Sequence, residues 1–168
     1  MKNDVSSSFE SRIPMGMNFD LIKNNLTDGK YRYIGSGSGR RVYDMENGYV
    51  IKAAKNLKGY AQNQMESKIY LDEQSEMFAP ITDVSIDFQM LIMQKGDRMQ
   101  SYHDLLNYYH VDNFNQLLRL PSFQYIMQRY HLVDADLKRM SSWGLIYGRP
   151  VLIDYGYTKE VMNRYYHR

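Results

Sequence analysis

The apolar positions divide the chain into a strand-rich front and a helix-rich back. Tyr31, Tyr33 and Ile34 predict a first strand, Val42, Tyr43 and Met45 a second, and Tyr49, Val50 and Ile51 a third. The glycine run Gly35-Ser36-Gly37-Ser38-Gly39 separates the first two. Asn47-Gly48 separates the next two, and both residues tolerate the positive φ of a type I′ hairpin turn. A helix is predicted from Lys58 or Gly59 to Ser75, with Met65 and Ile69 marking its spacing and Pro80 closing the connection that follows. Residues 81–86 and 88–93 read as two more strands, the second apolar enough to be central. Beyond Gly96 the spacing turns helical: Tyr102, Leu105, Leu106 and Tyr109 share one face, and Pro121 opens a helix that buries Phe123, Ile126, Met127 and Tyr130. Leu145-Ile146-Tyr147, a Gly148-Arg149 turn and Val151-Leu152-Ile153 predict a closing hairpin, in which Pro150 opens its strand or lies at an edge. The order predicts an α+β fold.

Residues 1–29 read as a partly ordered lead-in, serine-rich over 5–9 and punctuated by Pro14, Gly16 and Gly29, with a short helix over 19–26 carrying Leu21, Ile22 and Leu26 on one face. Residues 30–168 are then one domain, a size that can bury a single core. Charge is nearly balanced, at +2 from 21 basic and 19 acidic side chains, so no nucleic-acid partner is expected. Cysteine is absent, which excludes disulfides and thiolate metal sites. No apolar run approaches the ~20 residues of a membrane span, and the polar first ten residues lack the apolar core of a signal peptide. A soluble cytoplasmic protein with no membrane partner is expected.

Four features could carry chemistry. A glycine run lets backbone N–H groups approach a phosphate, and equally makes a flexible hairpin tip. Lys52 falls on the strand face of Val50, where a covered ammonium needs an acidic partner or an anion; a lysine snorkelling from a strand end is the alternative. Glu66 shares a helix face with Ile69 and Tyr70 and is the natural partner for Lys52, unless it is one of several solvated carboxylates on that helix. Asp136 and Asp154 lie 18 residues apart. Asp154 follows an apolar strand and precedes Tyr155-Gly156, a placement suited to a hard cation such as Mg²⁺ and also to an ordinary turn.

Taken in order, the glycine-rich hairpin, strand lysine, helix glutamate, two-strand segment, helices, loop aspartate, hairpin and Asp-x-Gly resemble the protein-kinase-like superfamily. The segments Trp143-Gly144-Leu145-Ile146-Tyr147-Gly148-Arg149-Pro150-Val151-Leu152-Ile153-Asp154-Tyr155-Gly156 and Gln62-Asn63-Gln64-Met65-Glu66-Ser67-Lys68-Ile69-Tyr70 are most similar to small kinase-like proteins of bacteriophages and bacteria. The resemblance implies an antiparallel N-lobe sheet with one helix over 30–95 and a reduced helical C-lobe over 96–168. It implies ATP under Gly35, Gly37 and Gly39, with Lys52 on the α/β-phosphates held by Glu66, and a hinge over 90–95, including Met93, that receives the adenine. It also implies Asp136 as the base, Lys138 neutralising the moving phosphoryl group, and Asp154 as the Mg²⁺ ligand. Ser141, or Ser142 after a one-residue insertion, stands where the family has a metal-binding asparagine. Asp134 competes for the role of Asp136, and Arg40 stands where the loop's third glycine belongs. Only twelve residues follow Gly156, so an acceptor other than a conventional peptide is expected, or none. Two functions follow from the resemblance: a pseudokinase that docks on an unidentified host or virion protein, and a minimal ATP- and Mg²⁺-dependent phosphotransferase.

Overall fold

The computed structural model describes residues 16–166 of the 168. The serine-rich run and Pro14 of the lead-in lie outside the described residues. Helix α1 (Phe19–Thr27) precedes strands β1 (Arg32–Ser36), β2 (Arg40–Asp44) and β3 (Tyr49–Ala54), which are followed by α2 (Leu57–Glu73), β4 (Ile81–Val84) and β5 (Met90–Gln94). A short strand β6 (Asp97–Arg98) leads to α3 (Tyr102–Tyr108), α4 (Phe114–Arg119), α5 (Pro121–Tyr130) and the single turn α6 (Asp134–Leu137). A 3-10 turn (Met140–Ser142), the strands β7 (Trp143–Ile146) and β8 (Arg149–Leu152), and α7 (Lys159–Tyr165) follow.

The first five strands form one antiparallel sheet in the order β1-β2-β3-β5-β4, and β6-β7-β8 form a second, smaller sheet. Strand alternation sets what each face of the large sheet covers. Val50, Leu91 and Met93 join the main core with Ile69 of α2, while Ile51, Met90 and Ile92 face the other way and pack on Ile22 of α1. The two central strands are therefore apolar on both faces, as the run of residues 88–93 predicts. Asn18 caps α1, its side chain accepting from the Leu21 N–H at 3.0 Å. Among the described residues no helix is long and apolar enough to cross a membrane.

Two turns differ from expectation. In the β2–β3 loop the left-handed residues are Glu46 and Gly48, not Asn47 and Gly48. The Asp44 carboxylate accepts from the Glu46 N–H at 2.8 Å and Met45 N–H donates to the Tyr49 carbonyl, which closes a longer loop than a type I′ pair. In the last hairpin the turn is Tyr147-Gly148, both with positive φ, and Ile146 pairs with Arg149. Arg149 thus belongs to β8, where Pro150 lies on the edge of the three-stranded sheet.

Helix α2 begins one residue before its predicted start because the Asn56 side chain caps the N–H groups of Lys58 and Gly59. It ends at Glu73 because Gln74 turns left-handed, at φ 45°. The α2–β4 connection then joins the two sheets: Leu152 N–H donates to the Met77 carbonyl and Ala79 N–H to the Leu152 carbonyl, both at 2.8 Å. Phe78 packs against Tyr155 with ring centroids 4.6 Å apart. These contacts bring the end of β8, with Asp154 beyond it, beneath the large sheet.

Because Ile22 is 5% exposed and closes the outer face of the sheet, replacing it with alanine is expected to cost about 2–4 kcal/mol. Urea unfolding of Ile22→Ala measures this directly. A loss below about 0.5 kcal/mol, the scale of a surface substitution, would show that α1 does not stabilise the sheet.

Candidate functional site

The buried face of α2 is mostly polar, made of Gly59, Gln62, Asn63, Glu66, Ser67 and Ile69. Glu66 is fully buried, and donors from three parts of the chain converge on it. Lys52 Nζ lies 3.0 and 2.9 Å from its two oxygens. Arg40 reaches Oε1 through NH2 at 2.9 Å and Oε2 through NH1 at 2.9 Å. The backbone N–H groups of Tyr155 and Gly156 donate to Oε1 at 3.1 and 3.2 Å. Burial alone would push the Glu66 carboxyl up, but the charges of Arg40 and Lys52 outweigh it and hold the group at about 2. Lys52 also donates to the Ile153 carbonyl. Gly156 can pass α2 only because it lacks a side chain, since a Cβ there would sit 2.4 Å from the Gln62 carbonyl oxygen.

Arg40 is the functional residue whose role the sequence pattern left open. It is 5% exposed and binds Asp154 Oδ1 at 2.7 Å, Asn63 Oδ1 at 3.2 Å and Glu66. The signal that could have found it is strand alternation: in β2, Arg40 falls on the face of Val42, and both line the cleft. Burial disfavours its charge, but the carboxylates of Glu66 and Asp154 overcome this and raise its pKa further. Asn63, also fully buried, braces the group by donating to the Phe88 carbonyl at 2.9 Å and the Lys52 carbonyl at 3.2 Å.

The glycine run forms a tight hairpin tip, closed by Gly37 N–H donating to the Arg40 carbonyl at 2.9 Å. Gly37 lines the cleft; Gly35 lies in β1 opposite Val42, and Gly39 presses against the start of α2. A Cβ on Gly39 would meet Gln62 Oε1 at 2.6 Å and the Gly59 nitrogen at 2.8 Å, so this glycine serves a backbone contact. The tip is held from two sides: Asn56 donates to the Ser38 carbonyl at 3.0 Å, and the Tyr166 hydroxyl lies 2.6 Å from Ser38 Oγ.

Asp136 sits in α6 and lines the cleft, whereas Asp134 and Lys138 do not. Arg139 occupies the rim instead, 3.6 Å from Asp136 Oδ1. Trp143 Nε1 donates to the Leu137 carbonyl and Ser142 Oγ to the Asp136 carbonyl, both at 2.8 Å, and Tyr102 donates to the Lys138 carbonyl at 3.0 Å. Ser142 is thereby spent on structure, its own carbonyl accepting from Ile153 N–H at 2.9 Å, and Ser141 is the serine that faces the cleft. Burial first, and then the Asp154 charge, raise the Asp136 carboxyl to about 6.

These groups surround a cavity of about 560 Å³. Ile34, Val42, Val50, Met93 and Ile153 make one part apolar, while Arg40, Lys52 and Arg139, facing Asp136 and Asp154, make another charged. Met93, with Gln94, Lys95 and Gly96, forms the strand-to-lobe connection along its edge. An apolar slot beside the charged groups of Arg40 and Lys52 has the mixed lining that a nucleotide such as ATP would need. The fit to Mg²⁺ is poor: Asp154 Oδ1 is already taken by a guanidinium, and Ser141 offers a neutral hydroxyl.

The third-strand lysine paired to a helix glutamate, the connecting strand at the cleft edge and the Asp-x-Gly turn behind them make the fold protein-kinase-like, with an antiparallel N-lobe sheet and a helical second lobe. Among solved structures, the streptomycin–ATP ternary complex of APH(2″)-IIa, an aminoglycoside phosphotransferase, superposes with a TM-score of 0.48 at 15% sequence identity, over 84% of this chain and 71% of that one. No protein-family model and no curated protein matches the sequence.

The raised pKa of Asp136 makes a signed prediction. Between about pH 4 and 6 the folded state holds a proton there that the unfolded chain releases, so stability rises as pH falls through this window and is lost above it. Asp136→Asn is expected to stabilise the protein by about 1–2 kcal/mol at pH 7.5, an advantage that shrinks as pH falls through 6 and vanishes below about pH 4. Glu66 acts oppositely, its contribution being lost as pH falls from the usual carboxylate range toward 2. Thermal melts of both proteins across pH 4–8 check this, and equal slopes would refute it.

Proposed function

We propose that the chain is a nucleotide-binding, kinase-like module that acts by docking on a protein partner, a host or virion component by the resemblance stated above. The observation that carries this reading is the assembled Lys52–Glu66 pair at the edge of a cleft that is apolar on one side and charged on the other, with Arg40 and Lys52 among its lining. Lys52 would set the phosphates by charge, and Met93 with its neighbours would border the base. The Ser38–Tyr166 contact supports coupling to a partner: it links the hairpin tip to the residue that caps the C-terminus of α7, so a ligand under the tip would be felt there. Slow or absent phosphoryl transfer is supported by Ser141 in place of an amide and by the guanidinium on Asp154. Calorimetric titration with ATP is expected to give a Kd on the order of 10–100 µM, weakened about tenfold or more in Lys52→Ala. Absence of binding at millimolar ATP in folded wild-type protein would overturn the reading.

One observation favours a second reading, a minimal phosphotransferase. Asp136 is held in the cleft with its carboxyl raised to about 6, a value suited to accepting a proton near neutral pH. A bound nucleoside triphosphate would supply the phosphoryl group. Asp136 would take the acceptor hydroxyl's proton, and Arg139 would hold its carboxylate in place. This reading expects transfer, self-modification included, that rises with pH through about 6 and is lost in Asp136→Asn. A broad acceptor screen with no transfer at any pH would leave the binding module.

A further inference from the structure

The cleft of this protein carries an unusual charge arrangement. Lys52 pairs with the buried Glu66, so without Arg40 the Asp154 carboxylate, which lines the cavity, would have no ion-pair partner among the described residues. Such a site repels a polyphosphate unless a cation arrives with it. Arg40 supplies that partner from within the chain. Its guanidinium binds Asp154 Oδ1 at 2.7 Å and both oxygens of Glu66 at 2.9 Å, and it also lines the cavity.

The position is built rather than incidental. The hairpin tip closes on the Arg40 carbonyl through Gly37, the fully buried Asn63 braces the guanidinium at 3.2 Å, and Arg40 itself is 5% exposed. A guanidinium stays charged throughout the biological pH range and keeps a fixed planar fork. A divalent cation reaching Asp154 would have Oδ2 open to it and would sit beside the guanidinium on Oδ1, two cations sharing one carboxylate. Ser141, the other cleft residue at a family metal position, offers only a hydroxyl.

We infer that Arg40 takes the place of a divalent cation in this cleft, so that the protein binds the phosphates of a nucleoside triphosphate without metal. This rests on the nucleotide-binding reading above and specifies how the triphosphate charge is met. Arg40, a permanent cation, and Lys52 beside it would face the phosphates, and Asp154 orients Arg40 instead of ligating a metal.

The test is calorimetric titration of ATP into the full chain, once in excess EDTA and once in millimolar MgCl₂. The wild-type protein is expected to bind in EDTA with a Kd within about threefold of that in Mg²⁺, since the charge a metal would bring is already present. In Arg40→Gln, binding in EDTA is expected to fall about tenfold or more and to recover when Mg²⁺ is added, because Asp154 is released. Wild-type binding that appears only with Mg²⁺ overturns the inference and leaves the nucleotide reading intact. Binding in neither buffer overturns both. If Arg40→Gln does not fold, the wild-type comparison decides alone.

Discussion

A carboxylate buried without partners costs several kcal/mol, and Glu66 is completely enclosed. The molecule meets this demand with groups drawn from distant parts of the chain. Lys52 comes from β3, Arg40 from β2, and two backbone N–H groups from the turn that follows β8. Each donor fixes one element against α2, so the sheet, the helix and the Asp-x-Gly turn are registered at a single point. Removing that carboxylate would leave two buried cations facing each other, which is why the two lobes and the cleft between them depend on it.

The same point governs the chemistry of the cleft. Because Glu66 needs only one cation to balance its charge and receives two, the surplus is shared with Asp154. The carboxylate at the mouth of β8 is thereby neutralised by protein instead of waiting for a metal. The remaining acid, Asp136, is partly buried and lies near enough to feel the charge on Asp154, and for both reasons keeps its proton to a higher pH. On either functional reading Arg40 and Lys52 would meet the phosphates of a nucleotide, with Asp136 beside them.

Much of the fold was legible because the strands obey simple alternation. Val50-Ile51-Lys52 assigns Lys52 to the cleft side of β3, and Met90–Gln94 is apolar on both faces because it lies between β3 and β4 with α1 behind it. Helix α2 was harder, since its inward face is Gln62, Asn63 and Glu66 more than aliphatic residues, and hydrophobic spacing barely marks it. Its end was misjudged for a local reason, the left-handed Gln74. The two turns were misjudged because a side-chain acceptor at Asp44 and a positive φ at Tyr147 redirected the backbone.

The sequence by itself determined the order of the main strands and helices and the faces on which Lys52 and Glu66 stand. These follow from periodicity, which is a local property. Only the tertiary structure decided that Arg40 joins Glu66 and Asp154, that Asp136 enters the cleft while Asp134 does not, and that Arg139 rather than Lys138 borders it. The reason is distance along the chain: Arg40 lies 26 residues from Glu66 and 114 from Asp154. No local pattern encodes a charge pair of that separation. It exists only once packing has brought the hairpin tip, the helix and the end of β8 to the same place.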